Sequence, residues 1–251
     1  MRKLYFVAIA AVSIEVAAAA AWVWARRLWR TWGIDPIELE RMLPGDELVG
    51  EATMADTRGI TIDAPPAAVW PWLLQLGFGR GGWYSYDRLD MRGRSAHELL
   101  PEHTSLAVGD VVPTDPQGGF VVRTLEPERA LVMFVDDEIV AAQRGTAPVE
   151  ATPAGLEASG RFMKTAIPPR FAVSWAIVLE PMSGGRTRLI ERVRGRFGEA
   201  TPGSRALGPV LEFGVFLMTR RQMLGLAERT AVAAPVRPTN GHVPEMAVTG
   251  A

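Results

Sequence analysis

The chain of 251 residues contains no cysteine. Disulfides, thiolate catalysis and cysteine-ligated metals are thereby excluded. Lysine is almost as scarce: Lys3 and Lys164 are the only two, and the rest of the positive charge is arginine. Together with the abundant alanine, this reads as coding bias in a GC-rich bacterium. Histidine occurs only at positions 97, 103 and 242. His97 and His103 lie six residues apart across Pro101, whereas a metal-binding helix presents histidines four apart on one unbroken face. No metal site is expected from them, and no cofactor is expected elsewhere. Charge of one sign is also lacking. The net charge is -1 and the pI about 6.3, so there is no basic footprint for nucleic acid. The glycines between Gly77 and Gly82 follow a helical pattern rather than a strand, which removes a dinucleotide-binding fingerprint.

What is present suffices for one sizeable globular domain, with 48% hydrophobic and 22% charged residues. Residues Leu4 to Ala25 form an apolar run flanked by Arg2-Lys3 and Arg26-Arg27, with Trp22, Trp24, Trp29 and Trp32 at its C-terminal end. As a helix the run covers roughly the hydrocarbon core of a bilayer, and the tryptophans suit an interfacial belt. We therefore expect residues 1–28 to be a single-pass membrane anchor. Glu15 lies mid-span, a cleaved signal peptide and a peripheral helix are the competing readings, and the flanking charges do not reveal sidedness. Residues 29–56 read as a linker with a short helix opened by Asp35-Pro36 and ended by Pro44-Gly45, leaving Ile37, Met42 and Leu43 available to pack.

The rest of the chain is organised around Arg58 to Asp90. Ile60 and Ile62 alternate with Thr61 and Asp63, the period of a half-buried strand. Asp63-Ala64-Pro65-Pro66 then starts a helix, with Asp63 as the expected cap and Val69, Leu73 and Leu76 as its buried face. A glycine-rich break leads into Trp83-Tyr84-Ser85-Tyr86-Asp87. Residues 87–100 carry a helical pattern, residues 119–125 and 130–135 read as a strand hairpin, and 156–165 as an extra strand within an irregular stretch. Residues 170–180 and 187–197 alternate around Ser183-Gly184-Gly185-Arg186, a strong hairpin signal. In the second of these strands Glu191 falls on the inward face with Leu189 and Val193, while Arg192, Arg194 and Arg196 point outward. Residues 204–231 form a long amphipathic helix. The domain thus spans 57–231, and 232–251 has the composition of a disordered tail.

The segment "GRGGWYSYD" (residues 79–87), preceded by a Pro-started helix and by the lead-in "LPGDELV" (residues 43–49), resembles a membrane-anchored bacterial branch of the START/Bet v 1-like superfamily, the SRPBCC or polyketide-cyclase-like proteins. The resemblance implies an α+β helix-grip fold in which a curved antiparallel sheet holds a long C-terminal helix over an apolar cavity. It implies no single chemistry. On that architecture the middle of the last helix, including Leu211, Phe213, Phe216 and Leu217, would face Trp175, Ile177 and Leu189. Candidate ligand contacts are Trp83, Tyr84, Tyr86, Asp87, Trp175, Glu191, Phe213 and Phe216. Packing accounts for the aromatic residues equally well, an N-cap role for Asp87, and a structural ion pair for Glu191. Three readings follow: a membrane-tethered binder of an apolar small molecule such as a lipid or polyketide-like compound, a cyclase or aromatase-type enzyme, and a structural or partner-binding domain with a filled cavity. No catalytic residue is assigned, because no nucleophile–base pair or metal set stands out. The domain is expected to be a monomer.

Overall fold

The computed structural model describes residues 20–87, 94–146 and 161–233. Six strands form one antiparallel sheet in the order β1-β6-β5-β4-β3-β2, built from β1 (Met54–Ile62), β2 (Val111–Asp115), β3 (Gly118–Glu126), β4 (Ala130–Asp136), β5 (Phe171–Met182) and β6 (Arg186–Phe197). Helices are α1 (residues 20–30), α2 (Pro36–Glu40), α3 (Pro66–Leu74), α4 (Asp137–Thr146), α5 (residues 161–166) and the long α6 (Pro202–Ala233). The β5–β6 hairpin is the backbone of the sheet. It is closed by Gly184 and Gly185 at φ +77° and +68°, a left-handed pair that matches the strand twist and that side-chain-bearing residues adopt at a cost.

Because directly paired residues share a face, the register sorts the sheet. Arg58, Glu191, Ile177 and Leu131 lie side by side on one face, and Val193, Trp175, Met133 and Val122 form the next row of the same face. This concave face packs with α3 and the second half of α6 into the main core, where Ile62, Leu73, Leu131, Met133, Leu179, Leu189, Met223 and Leu226 are buried. The opposite face carries Thr57, Arg192, Ala176 and Val132.

That opposite face does not meet solvent in its middle. Residues 34–49 lie across it: Leu43 and Ile34 pack on Val178 and Ile190, and Arg192, read from the alternation as outward, is only 4% exposed. Its Nε donates to Thr57 Oγ1, one terminal nitrogen to Arg41 O and Asp46, and the other to Glu38 O and Leu39 O. Of the three apolar residues expected to pack in this segment, only Leu43 does; Ile37 and Met42 remain exposed.

Four local expectations need correction. Asp63 does not cap α3, which begins after Pro65 with no side-chain cap; the cap position is held by Pro65, whose side chain offers no acceptor and whose carbonyl takes Ala68 N and Val69 N. Residues 94–100 are not helical. Their backbone is held instead by Gln75, which accepts from Leu100 N and donates to Glu98 O, and the Ser95 hydroxyl is engaged by Tyr84 N and Asp87. Residues 88–93, the rest of that predicted helix, lie outside the described residues. The stretch after β4 contains α4, started by the Asp136 carboxylate accepting from Ile139 N, and residues 161–166 form a helical turn rather than a strand. Most of the predicted anchor, the remainder of the predicted strand at 156–160 and the tail from 234 also fall outside the described residues. Among the described residues no helix is long and apolar enough to cross a membrane.

Candidate functional site

Glu191 sits in the centre of the concave face, paired across the ladder with Arg58 on β1 and Ile177 on β5. It is 1% exposed, and neither carboxylate oxygen has a hydrogen-bond partner. Burial pushes its pKa up to about 8, with the Arg58 charge and the neighbouring Trp175 pulling only weakly the other way. At neutral pH the group is mostly a protonated acid.

Arg58, the paired cation, makes its hydrogen bonds elsewhere and gives none to Glu191. Its Nε donates to Trp29 O, its terminal nitrogens to Asp56 and Thr219 Oγ1, and its guanidinium lies 5.6 Å from the Phe216 ring centroid. Asp56, also buried, has its pKa raised by desolvation in spite of Arg58 and Arg30. One turn beyond Thr219 on α6, Gln222 buries an amide nitrogen that has no partner. The Trp175 indole N–H, on the same face next to the row of Glu191, is likewise buried and meets no acceptor at hydrogen-bond geometry, although it lies near enough to Glu191 to lower that group's pKa. A set of unpartnered polar atoms therefore belongs to the sheet's concave face and the helix that covers it.

The aromatic segment 83–86 divides its roles. Trp83 turns onto the concave face and stacks on Trp175, with ring centroids 5.4 Å apart and planes 15° from parallel; Phe120 meets Trp175 edge-on at 5.7 Å. Tyr84 turns the other way at φ +57° and is wholly committed to structure. Its hydroxyl donates to Trp72 O, its N–H to Ser95, and Arg229 lies over its ring. Burial raises its phenol pKa. Tyr86 is largely exposed, and Asp87 accepts a hydrogen bond from Ser95. Of the eight candidate residues, the structure thus gathers Trp83, Trp175 and Glu191 on the concave face. Phe216 reaches the same region through Arg58. Tyr84 lies behind it, Tyr86 and Asp87 are at its margin, and Phe213 is 41% exposed against Trp29.

The concave face is not evenly sealed. Ile177, Leu179 and Leu131 are fully buried, but Val173, Trp175 and Phe120, further along the same face, keep solvent exposure. Thr219 touches Arg58, level with Glu191, and Met223 and Leu226 pack deeper. The first half of α6, where Val210, Phe213 and Leu217 are exposed, is not bedded in that core. Helix α1 runs beside it: Arg26, Arg30 and Trp29 all donate to Glu212. Glu212 is held at about 2, the burial cost being outweighed by those three donors.

Sequence reasoning missed Asp56, Arg58, Glu212 and Gln222. Arg58 was within reach, since it lies two residues before inward-facing Ile60 on the same strand. The others depend on where α1 and α6 dock.

No family model matches the chain, and no curated protein does. Among solved structures it is similar to the hypothetical protein jhp0584 from Helicobacter pylori, at 12% identity and a TM-score of 0.42 over 75% of this chain and 95% of that one. It is also similar to the Zhui aromatase/cyclase from Streptomyces sp. R1128, at 15% identity and a TM-score of 0.38 over 75% of this chain and 99% of that one. A third likeness is to protein MLL2253 from Mesorhizobium loti, at 15% identity and a TM-score of 0.36 over 72% of this chain and 100% of that one. Likenesses at these values bear on neither ligand nor reaction. The chain's own strand order, with a long C-terminal helix over the concave face, is the α+β helix-grip arrangement that the sequence resemblance implied.

Proposed function

We propose that the protein binds an apolar small molecule, a lipid or polyketide-like compound, on the concave face beneath α6, and that residues 4–25 hold it at a membrane. The observation that carries the binding reading is the buried Glu191 carboxyl, whose oxygens find no partner at hydrogen-bond geometry even though the Trp175 indole N–H is close enough to lower its pKa. Leaving such a group unbonded costs about 1–3 kcal/mol on protein mutational scales. A ligand whose polar end reaches both would remove that cost, and the exposure of Val173, Trp175 and Phe120 marks the route in. The hydrocarbon part would supply affinity by burial, at about 25 cal/mol per Å² of apolar area before ordering costs are subtracted. Glu191 orients the ligand's polar end, and the stacked Trp83 and Trp175 rings form one wall.

A cyclase or aromatase-type activity is the second reading, favoured by the Glu191 pKa of about 8. A protonated acid in an apolar interior is the group that proton transfer to a polyketide-like substrate would need. Turnover of a candidate ligand separates the two readings. The binding reading is tested by titrating Nile red against the full chain in lipid nanodiscs, with empty nanodiscs as the blank. Trp83→Ala and Phe216→Ala are expected to weaken probe binding several-fold while keeping most of the fold, and Glu191→Gln to change ligand preference more than affinity. Equal binding by all three variants, at unchanged Tm, contradicts it.

A further inference from the structure

Helix α1 enters the described structure as an apolar rod: Trp22, Val23, Trp24 and Leu28 are 43%, 66%, 66% and 51% exposed. The turns before Arg26 are apolar all round, a pattern stable only when something other than water surrounds it. Trp22 packs edge-on against Trp29, and Trp29 in turn against Phe213 of α6, at 5.3 and 5.2 Å between centroids. The apolar surface of α1 is therefore continuous with α6, where Val210, Phe213 and Leu217 recur at helical spacing and are 60%, 41% and 38% exposed. The Glu212 clamp from Arg26, Arg30 and Trp29 fixes the two helices to each other. The occupant is indicated by the chain itself. The 19 residues that precede residue 20 contain the apolar stretch from Leu4, in which Glu15 is the single charge. Tryptophan next to exposed Arg27 is the composition of a bilayer interface.

We infer that the Val210, Phe213 and Leu217 face of α6 is a second membrane contact, laid against the bilayer surface beside α1. This rests on the membrane attachment proposed above and deepens it. The domain is not held on a loose tether but docked in one orientation. The half of α6 that touches lipid runs on to Phe216 and Thr219, which meet Arg58 beside Glu191 on the concave face. An apolar molecule could then pass between bilayer and protein without crossing water, which the cost of solvating hydrocarbon makes the favourable route.

The absence of cysteine makes the test direct. Single-cysteine variants Trp24→Cys, Val210→Cys, Leu217→Cys and Glu228→Cys of the full chain are labelled with the environment-sensitive dye NBD and reconstituted into phosphatidylcholine vesicles with and without doxyl-labelled lipid. Labels at positions 24, 210 and 217 are expected to emit blue-shifted light and to be quenched by doxyl lipid, with position 228 unchanged as the water-exposed reference. Water-like emission at 210 and 217 overturns the inference; if position 24 is quenched, attachment through α1 survives, and if it is not, that attachment falls as well. Blue-shifted emission at 210 and 217 without lipid quenching identifies a second copy of the chain as the occupant and also overturns it. None of these outcomes touches ligand binding, which the Nile red titration reads separately.

Discussion

Glu191 and Arg192 are neighbours on β6 and meet burial in opposite ways. Arg192 has every donor satisfied, by Thr57, Asp46 and three backbone carbonyls. Arg192→Ala should therefore strand the buried Asp46 carboxylate and cost about 3–5 kcal/mol, the range for breaking one side of a buried pair. Urea unfolding checks this, and Arg192→Lys should not restore stability, because an ammonium cannot span the same fork of acceptors. Glu191 has no partner at hydrogen-bond geometry, and its folded pKa of about 8 lies above its ordinary value of 4.5. The folded state therefore holds the proton more tightly. The associated stability is fully present below the ordinary carboxylate range and is lost as pH rises toward about 8, a change on the order of a few kcal/mol. Glu191→Gln should flatten the dependence of unfolding free energy on pH across that window; an unchanged slope would mean that Glu191 is not buried as a protonated acid. Strand alternation alone made the inward position of Glu191 legible. The burial of Arg192 was not, since it depends on residues 34–49 crossing the far face, and no local period encodes that destination.

Among the elements, α6 is one helix with two environments. Its second half is bedded in the core at Met223 and Leu226, and Gly225 lies so close to Tyr84 O that an added Cβ would collide with it. Gly225→Ala should cost about 1–3 kcal/mol through overpacking, read as a lowered Tm. The first half is held to α1 by Glu212. Its carboxyl lies at about 2, below its ordinary value, so the clamp's contribution is present above the ordinary carboxylate range and is lost as pH falls toward about 2. Glu212→Gln should raise amide hydrogen exchange in residues 20–30 while leaving residues 219–230 protected; equal protection in both would show that the aromatic contacts alone hold α1. The long helix and the β5–β6 hairpin were legible because their periods run uninterrupted. Helix α4 was missed although Asp136 caps it, since its short apolar face is set in a polar stretch. The pattern over 87–100 misled because the side chains of Gln75 and Ser95 take the backbone groups a helix would have used.

At the scale of the whole molecule, the resemblance implied the order of layers, and the register explains why function would lie on one side of the sheet. The middle of the far face is covered by residues 34–49 and the concave face is packed by α3 and the second half of α6; among the described residues Trp175, Val173 and Phe120 at one end of the concave face keep partial exposure, as do Ile60 and Leu125 elsewhere on it. The exposure at that end was not legible beforehand. It follows from α6 meeting the sheet first at Phe216 and Thr219, so that of the Leu211 to Leu217 stretch expected to face it Phe213 and Leu217 stay exposed. Inside lie an acid and an indole N–H that meet no partner at hydrogen-bond geometry, which is the central reason to place a ligand there. Native mass spectrometry of the full chain released from membranes in a mild detergent tests this most directly. The account predicts a fraction carrying one small apolar molecule in stoichiometric amount, with that adduct diminished in Trp175→Ala and altered in identity in Glu191→Gln. A bare polypeptide mass for the wild-type chain, or the same adduct in all three proteins, would contradict it.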